Sequence, residues 1–376
     1  MVYLDHNATT AVAPEVFEAM RPYFCEEWGN PSSAYRFGSR NQTVLESARS
    51  QVAKLIGALP EEIVFTSCAT ESNNSAIHAA LRSNLKRQRV VTSVVEHSSV
   101  LNHSDSLEKE GFSITRLPVD REGLLSLADV ESAVKDATAV VSLMWANNET
   151  GVLFQTQEIA ELCNARGVLF HCDAVQAAGK LEIDVRKTPV DYLSLSAHKF
   201  FGPKGIGALY VRRGAPFFPL LHGGHQERGL RGGTENVPLI VGMGKAAELG
   251  KNRIHTYETK VRLLRNRLET AVTTRIPDTE VNGHPTRRLS NTTNIAFHGV
   301  ESDALLTMLD QAGICASKGS ACLGNSDGPS HVLKAMKPHG LASRQSLRFS
   351  LGFNSREDEI DACVEALIRS VAVLRS

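Results

Sequence analysis

From about residue 13 to residue 250 the chain alternates short apolar segments with helical patterns, and this alternation limits the folds open to it. Strands are expected at 62–65, 90–95, 113–117, 139–145, 168–171, 192–195 and 208–211. Several are apolar on both faces, as buried strands of a mostly parallel sheet are. The repetition predicts an α/β fold with helices on both sides of that sheet. In such sheets ligands sit beyond the carboxyl ends of the strands. Between the strands, a helix is expected over 14–24, with Pro14 in its first turn. Another spans 42–56 and stops at Gly57, and a third begins at Glu71. Beyond residue 250 the texture changes to a long charged helix over 253–273, short strands and helices, and a closing helix over 356–374 with Ser355 as its N-cap. The expected organisation is a large domain over 13–252 and a smaller α/β domain formed by 1–12 and 253–376.

Composition removes several function classes. The chain has 376 residues, enough for a large core, and its 41 basic and 41 acidic side chains cancel. A chain so balanced carries no basic arm for DNA and no cationic membrane-binding face. No apolar run approaches the roughly 18–20 residues that span a bilayer. The start, Met1 to His6, lacks the basic and apolar regions of a secretory signal. The cysteines are seven, scattered and without a C-x-x-C pair. That spacing predicts neither a disulfide framework nor a cysteine-rich zinc site, and places the chain in a reducing cytoplasm. His222 and His225 flank Gly223-Gly224, which forms no rigid ligand face, so a metal site is not expected.

The sharpest motif is Ser194-Leu195-Ser196-Ala197-His198-Lys199-Phe200-Phe201-Gly202-Pro203-Lys204-Gly205. It reads as a strand end, a polar turn with one lysine, and a glycine-rich turn. A lysine held there can form a Schiff base with an aldehyde cofactor. Asp173 ends the strand one strand-helix-strand unit earlier. A carboxylate and a lysine at neighbouring strand ends suit a pyridoxal ring, since the acid keeps the ring nitrogen protonated. Ala69 and Thr70 lie where a strand becomes a helix, a place for a phosphate. His97 follows another strand and can stack on a flat ring and shuttle protons. Asn148 and Gln176 also follow strands. Ser196 and His198 flank the lysine, and Arg348 lies in an alternating strand with a planar fork suited to a carboxylate. Cys322 lies in a small, polar, turn-rich stretch over 317–329, expected to be a moving surface loop that lets a thiolate reach a bound intermediate. Each residue also has an ordinary reading, as helix cap, turn former, packing histidine or surface thiol.

Taken together and in order, these motifs resemble the class V, aminotransferase-like pyridoxal-phosphate enzymes, and more narrowly the NifS/IscS-type cysteine desulfurases. The resemblance rests on Tyr3-Leu4-Asp5-His6-Asn7-Ala8-Thr9-Thr10, Gly29-Asn30-Pro31-Ser32-Ser33, Ala69-Thr70-Glu71-Ser72-Asn73-Asn74, Glu96-His97, Asn147-Asn148-Glu149-Thr150-Gly151, Asp173-Ala174-Val175-Gln176, Ser196-Ala197-His198-Lys199, Arg231-Gly232-Gly233-Thr234, Gly319-Ser320-Ala321-Cys322, Pro329-Ser330-His331-Val332-Leu333 and Leu347-Arg348-Phe349-Ser350. It implies the aspartate aminotransferase-like fold of pyridoxal-phosphate-dependent transferases, with a mostly parallel mixed sheet. It implies that Lys199 links to pyridoxal 5'-phosphate, Asp173 pairs with the ring nitrogen, His97 stacks on the ring and Gln176 bonds its phenolic oxygen. Ala69, Thr70, Ser196 and His198 hold the phosphate, with Thr234 reaching the phosphate of the neighbouring subunit in a homodimer. Arg348, Asn148 and Asn30 hold the substrate.

The resemblance further implies that L-cysteine is converted to L-alanine, with Cys322 taking the sulfur as a persulfide. The sulfur then passes to an acceptor protein such as an iron–sulfur scaffold. A selenocysteine lyase or another class V enzyme is the alternative, and a sulfur-relay scaffold on a dead fold is less compatible with Lys199, Asp173 and Cys322 together. Two departures stand out. Cys68 occupies a position where such enzymes usually carry glycine, and is read as a tolerated small residue. The composition after Cys322 also differs, which leaves the acceptor open.

Overall fold

A computed structural model describes residues 1–318 and 328–376. Among these the strands, in chain order, are β1 (Val2–Tyr3), β2 (Ile63–Thr66), β3 (Arg89–Ser93), β4 (Ser113–Leu117), β5 (Thr138–Met144), β6 (Leu169–Asp173), β7 (Tyr192–Ser196), β8 (Gly207–Val211), β9 (Thr279–Asn282), β10 (Thr292–Phe297), β11 (Ile314–Cys315) and β12 (Ser346–Ser350). The central sheet runs β2-β8-β7-β6-β5-β3-β4. Strands β7, β6, β5, β3 and β4 pair in parallel, while β8 is antiparallel to both β7 and β2. Strand β2 therefore points the same way as the parallel set. The carboxyl ends of β2, β3, β5, β6 and β7 meet at one edge.

The central strands are apolar because both faces are covered. Along β5, Val140 packs with the helices Ala69–Ser83 and Ser98–Lys109, whereas Val141 and Leu143 join the larger core on the opposite face. The period-two alternation of a strand splits neighbouring residues between two cores in this way. One polar set inside the sheet is satisfied at every nitrogen. His171 accepts or donates at both ring nitrogens, to Ser142 Oγ at 2.8 Å and Ser194 Oγ at 2.9 Å, tying β5, β6 and β7 together. Burial lowers its pKa to about 4, so the ring is neutral and one serine can donate while the other accepts.

A third apolar cluster joins Leu4, β10, β12 and the helices Arg262–Arg275, Ser302–Gln311 and Glu357–Arg375. The short helix His331–Met336, by contrast, sends Val332, Leu333 and Met336 into the large sheet's core. No described helix is long and apolar enough to cross a membrane.

Several expected boundaries shift. The first helix ends at Met20 and a separate turn starts at Pro22, because proline removes the N–H that would continue the ladder. The helix expected from 42 begins at Arg36. The long charged helix expected from 253 is continuous with Val237–Thr256 through a π turn at Tyr257–Val261. Ser355 does not cap the last helix. Its hydroxyl accepts the Gly352 N–H instead, and the Glu359 carboxylate accepts the Arg356 N–H at 2.9 Å to close the first turn.

One glycine sets how closely the site's elements approach. Gly207 pairs with Thr66 on one side and Ser196 on the other, and the Cys68 backbone passes directly over it. A Cβ there would lie 2.7 Å from the Cys68 carbonyl carbon and 2.8 Å from the Leu195 oxygen. Gly207→Ala is expected to destabilise the protein by about 1–3 kcal/mol through forced backbone displacement. Gly340→Ala, where the nearest atom is 3.6 Å away, should fall within about 0.5 kcal/mol of wild type. Chemical denaturation of both variants decides this, and equal effects would refute the close-approach account.

Candidate functional site

The carboxyl edge of the sheet opens into a cleft of about 230 Å³. Its lining includes Ala69, Thr70, His97, Asn148, Asp173, Gln176, Ser196, His198, Lys199 and Arg348, residues singled out in the sequence. Lys199 sits in the turn after β7 and is 8% exposed. Its Nζ donates to the carbonyls of Asn7 and Ala8, each at 2.7 Å. The turn is shaped by the same N-terminal segment: the His198 carbonyl accepts from the Thr10 N–H, and the Phe201 N–H donates to Thr10 Oγ1 at 2.8 Å. Phe201 has φ +67°, a left-handed conformation costly for a bulky residue, and this bond to Thr10 helps to hold it.

Asp173 ends β6. Its Oδ1 accepts the Val175 N–H at 3.0 Å and its Oδ2 accepts Asn73 Nδ2 at 2.8 Å. Asn73 also donates to Ser99 Oγ at 2.8 Å, and Ser99 Oγ lies 2.9 Å from His97 Nδ1. The Ser99 backbone N–H donates to that same nitrogen at 3.2 Å, which makes Nδ1 an acceptor. In the neutral ring the hydrogen therefore sits on Nε2. One line of bonds thus runs from the carboxylate to the imidazole and fixes its tautomer.

At the other end of the cleft, the helix Ala69–Ser83 begins with Cys68 as a cap residue whose side chain bonds none of the first-turn N–H groups. Its first-turn N–H groups have no intrahelical acceptors and carry the positive end of the helix dipole. His198 completes that end, with Nδ1 3.1 Å from Thr9 Oγ1. Burial and then the charges of Lys199, Lys204 and Lys180 lower its pKa to about 4. Across the cleft, Arg348 is 1% exposed. It donates through Nη2 to Asp5 Oδ1 at 2.7 Å and through Nη1 to the Asn148 carbonyl at 2.9 Å.

The structure does not bring every expected residue into the cleft. Asn30 is exposed, with Oδ1 accepting the Ser32 N–H at 2.9 Å, and is absent from the lining. Thr234 lines a separate cavity with Ser67 and Arg231. Cys322 lies outside the described residues. Conversely, Asn7, Asn73, Ser99, Asp5 and Lys180 contribute to the site without having been assigned roles. They act by holding other side chains, and their sequence signal is only a polar residue in an otherwise apolar or motif setting. Cys68 lines the cleft as the cap residue of the helix.

The donor set fits pyridoxal 5'-phosphate. A buried primary amine, a buried carboxylate, an imidazole of fixed tautomer and a helix N-terminus all face one cleft of suitable polarity. Each matches a functional group of that cofactor in kind: aldehyde, ring nitrogen, aromatic face and phosphate.

Comparison with known proteins agrees with this chemistry. Residues 2–363 match the class-V aminotransferase family. The chain is 50% identical over 376 residues to a cysteine desulfurase of Trichormus azollae, covering 100% of this chain and 94% of that one. It is 48% identical over 376 residues to the cysteine desulfurase NifS of Azotobacter vinelandii, with the same coverage. Among solved structures, a NifS-like protein superposes with a TM-score of 0.93 at 35% identity, covering 99% of both chains. A structure described as SspA in complex with cysteine superposes with a TM-score of 0.82 at 37% identity, covering 93% of this chain and 99% of that one.

Behind the site, Glu96 is wholly buried beside His97. Its Oε1 accepts from Ser93 Oγ at 2.6 Å. Burial, and to a lesser degree the Asp173 charge, raises its pKa from 4.5 to about 8. Between those values the folded protein holds a proton that the unfolded chain releases. The group therefore costs stability as pH rises through the window, at up to roughly 1.4 kcal/mol per pH unit. Glu96→Gln removes the titration. The stability of wild type relative to this variant should fall from pH 4.5 to pH 8 in urea denaturation, and a constant difference would refute the assignment.

Proposed function

We propose that this chain, which belongs to the class-V aminotransferase family, is a pyridoxal-phosphate-dependent cysteine desulfurase. The observation that carries the reading is the convergence of Lys199, Asp173, His97 and Arg348 on one buried cleft. The 50% identity with a cysteine desulfurase supports the choice of substrate.

When bound, pyridoxal 5'-phosphate supplies an aldehyde for amines and a ring that withdraws electrons from the amino acid's α-carbon. Lys199 Nζ is the group that anchors it. The Asp173 carboxylate keeps a proton at the ring nitrogen, and Asn73 and the Val175 N–H keep that carboxylate in place. The first-turn N–H groups at Ala69 and Thr70, with Ser196 and His198, bind the phosphate. His97, in the cleft wall, would stack on the ring. Arg348 binds the α-carboxylate of L-cysteine, a planar anion suited to its fork, with Asn148 alongside. Lys199 Nζ would be the base that takes the proton from the α-carbon.

The sulfur step belongs to Cys322. Its thiolate attacks the substrate sulfur, forming an S–S bond as the substrate's C–S bond breaks. The electron pair of that bond stays with the substrate β-carbon, which takes up a proton; Lys199 returns the proton to the α-carbon, and L-alanine leaves. The persulfide on Cys322 then goes to an acceptor, for which an iron–sulfur scaffold protein is the proposed partner. Thr234, in its separate cavity near Arg231, is proposed to serve the cofactor phosphate of a second copy in a homodimer. Asn30 is proposed as a further substrate contact, and the cytoplasm as the compartment.

The purified loaded protein should be yellow and should release alanine from L-cysteine. Cys322→Ala should keep the visible absorption band and lose alanine release by roughly a hundredfold or more. Lys199→Ala should lose the covalent link to the cofactor, read by mass after borohydride reduction. Full turnover by Cys322→Ala would sink the sulfur-acceptor assignment.

A further inference from the structure

Lys180 is a wholly buried lysine behind the cleft, and its sequence position drew no role. Its Nζ donates to Gln176 Oε1 at 2.8 Å and to Asn7 Oδ1 at 3.1 Å. Charged or neutral, an amine has the two N–H groups these oxygens need. Gln176 in turn donates through Nε2 to the Asn7 carbonyl at 2.9 Å, the same carbonyl that accepts from Lys199. Asn7 is itself oriented: Oδ1 also accepts from Asn291 Nδ2 at 3.1 Å, and Nδ2 donates to Thr292 Oγ1 at 2.9 Å.

We infer that Lys180 is a positioning residue that fixes the orientation of the Gln176 amide, so that its second N–H, and not its oxygen, meets the phenolic oxygen of the bound cofactor. This rests on the pyridoxal reading above. A primary amide is nearly symmetric in shape, and packing alone does not tell its two ends apart. Lys180 does so chemically together with the Asn7 carbonyl: its N–H groups claim the amide oxygen, and that carbonyl, which can only accept, claims the amide nitrogen. A flipped amide would set an oxygen against an anionic ring oxygen and leave Lys180 facing an NH₂ group. Both arrangements leave buried polar atoms without partners, which costs about 1–3 kcal/mol each.

The charged groups near Lys180 are Lys199 and Arg348. Its burial, and then those two charges, push its own pKa well below the usual lysine range. His6 and His198 also feel its charge. Retaining a buried amine against those like charges is unfavourable, and its two bonds to amide oxygens offset part of the cost.

The test is the pH titration of the visible band of the loaded protein in the absence of substrate. An N–H donated to the ring oxygen favours its anionic form, so losing that donor holds the nearby proton to higher pH. Lys180→Met should raise the midpoint by roughly one pH unit. In a Gln176→Leu background the same substitution should add little further shift, since Lys180 acts through that amide. An unmoved midpoint in Lys180→Met overturns the inference. So does an equal shift in both backgrounds, which would make Lys180 a bare charge. Should Lys180→Met fail to fold, Gln176→Glu presents oxygen in either orientation and should raise the midpoint likewise, and an unmoved value there overturns the inference. A protein with no visible band in any form would instead overturn the pyridoxal reading itself.

Discussion

A primary amine and a carboxylate taken out of water at one sheet edge are tolerated only where each finds partners, and this requirement organises the molecule. Lys199 meets it with two carbonyls from the N-terminal segment, which must therefore cross the mouth of the sheet. Asp173 meets it with a backbone N–H from its own turn and an amide from the helix Ala69–Ser83. Desolvating such groups without these bonds would cost several kcal/mol each. The same bonds that make burial tolerable also aim the two groups into one cleft. Stability and preorganisation are here one set of contacts.

The partners form a connected polar layer. From Asp173 the bonds pass through Asn73 and Ser99 to His97; from Lys199 they pass through Asn7 to Gln176, Lys180, Asn291 and Thr292. Asn7 is the junction, giving both its backbone carbonyl and its side chain. Arg348 closes the layer from the opposite wall by binding Asp5 and the Asn148 carbonyl. Such a layer is strong when every member is satisfied and costly when one is not.

Much of this was legible in the sequence, for identifiable reasons. Lys199, Asp173, His97 and Thr70 stand just after strand patterns, where a parallel sheet must present them, so topology carried them to one edge. The chemistry of residues that act through another side chain was not legible. Asn7, Asn73 and Lys180 stood in quoted motifs or beside them, but nothing local says whose atoms they hold. Element ends were read less well where two signals competed. Ser355 looked like a cap, yet Glu359 satisfies the first turn from inside the helix. Pro22 broke a pattern whose apolar period continues past it. The helix expected from 253 hid its true start because Gly242, Gly244 and Gly250 interrupt the helical pattern of the stretch from Val237. Cys322, the residue on which the narrower reading depended most, lies outside the described residues, so its case remains one of sequence.

The contact between Asp5 and Arg348 joins residues almost a full chain length apart, and that has a bearing on synthesis. A ribosome releases Asn7, Asp173 and Lys199 long before β12. The amine and the Asp173 carboxylate can reach one sheet edge before β12 exists, whereas the N-terminal segment that clasps the amine is itself held by Ser350 of β12. The Arg348 guanidinium, proposed to hold an amino-acid carboxylate, follows Asp173 and Lys199 in the chain. A chain ending before β12 would carry Lys199 without Arg348 and without the strand that seats the N-terminal segment across it. Closure of the N-terminal segment over the amine and the proposed grip on substrate thereby depend on the same strand.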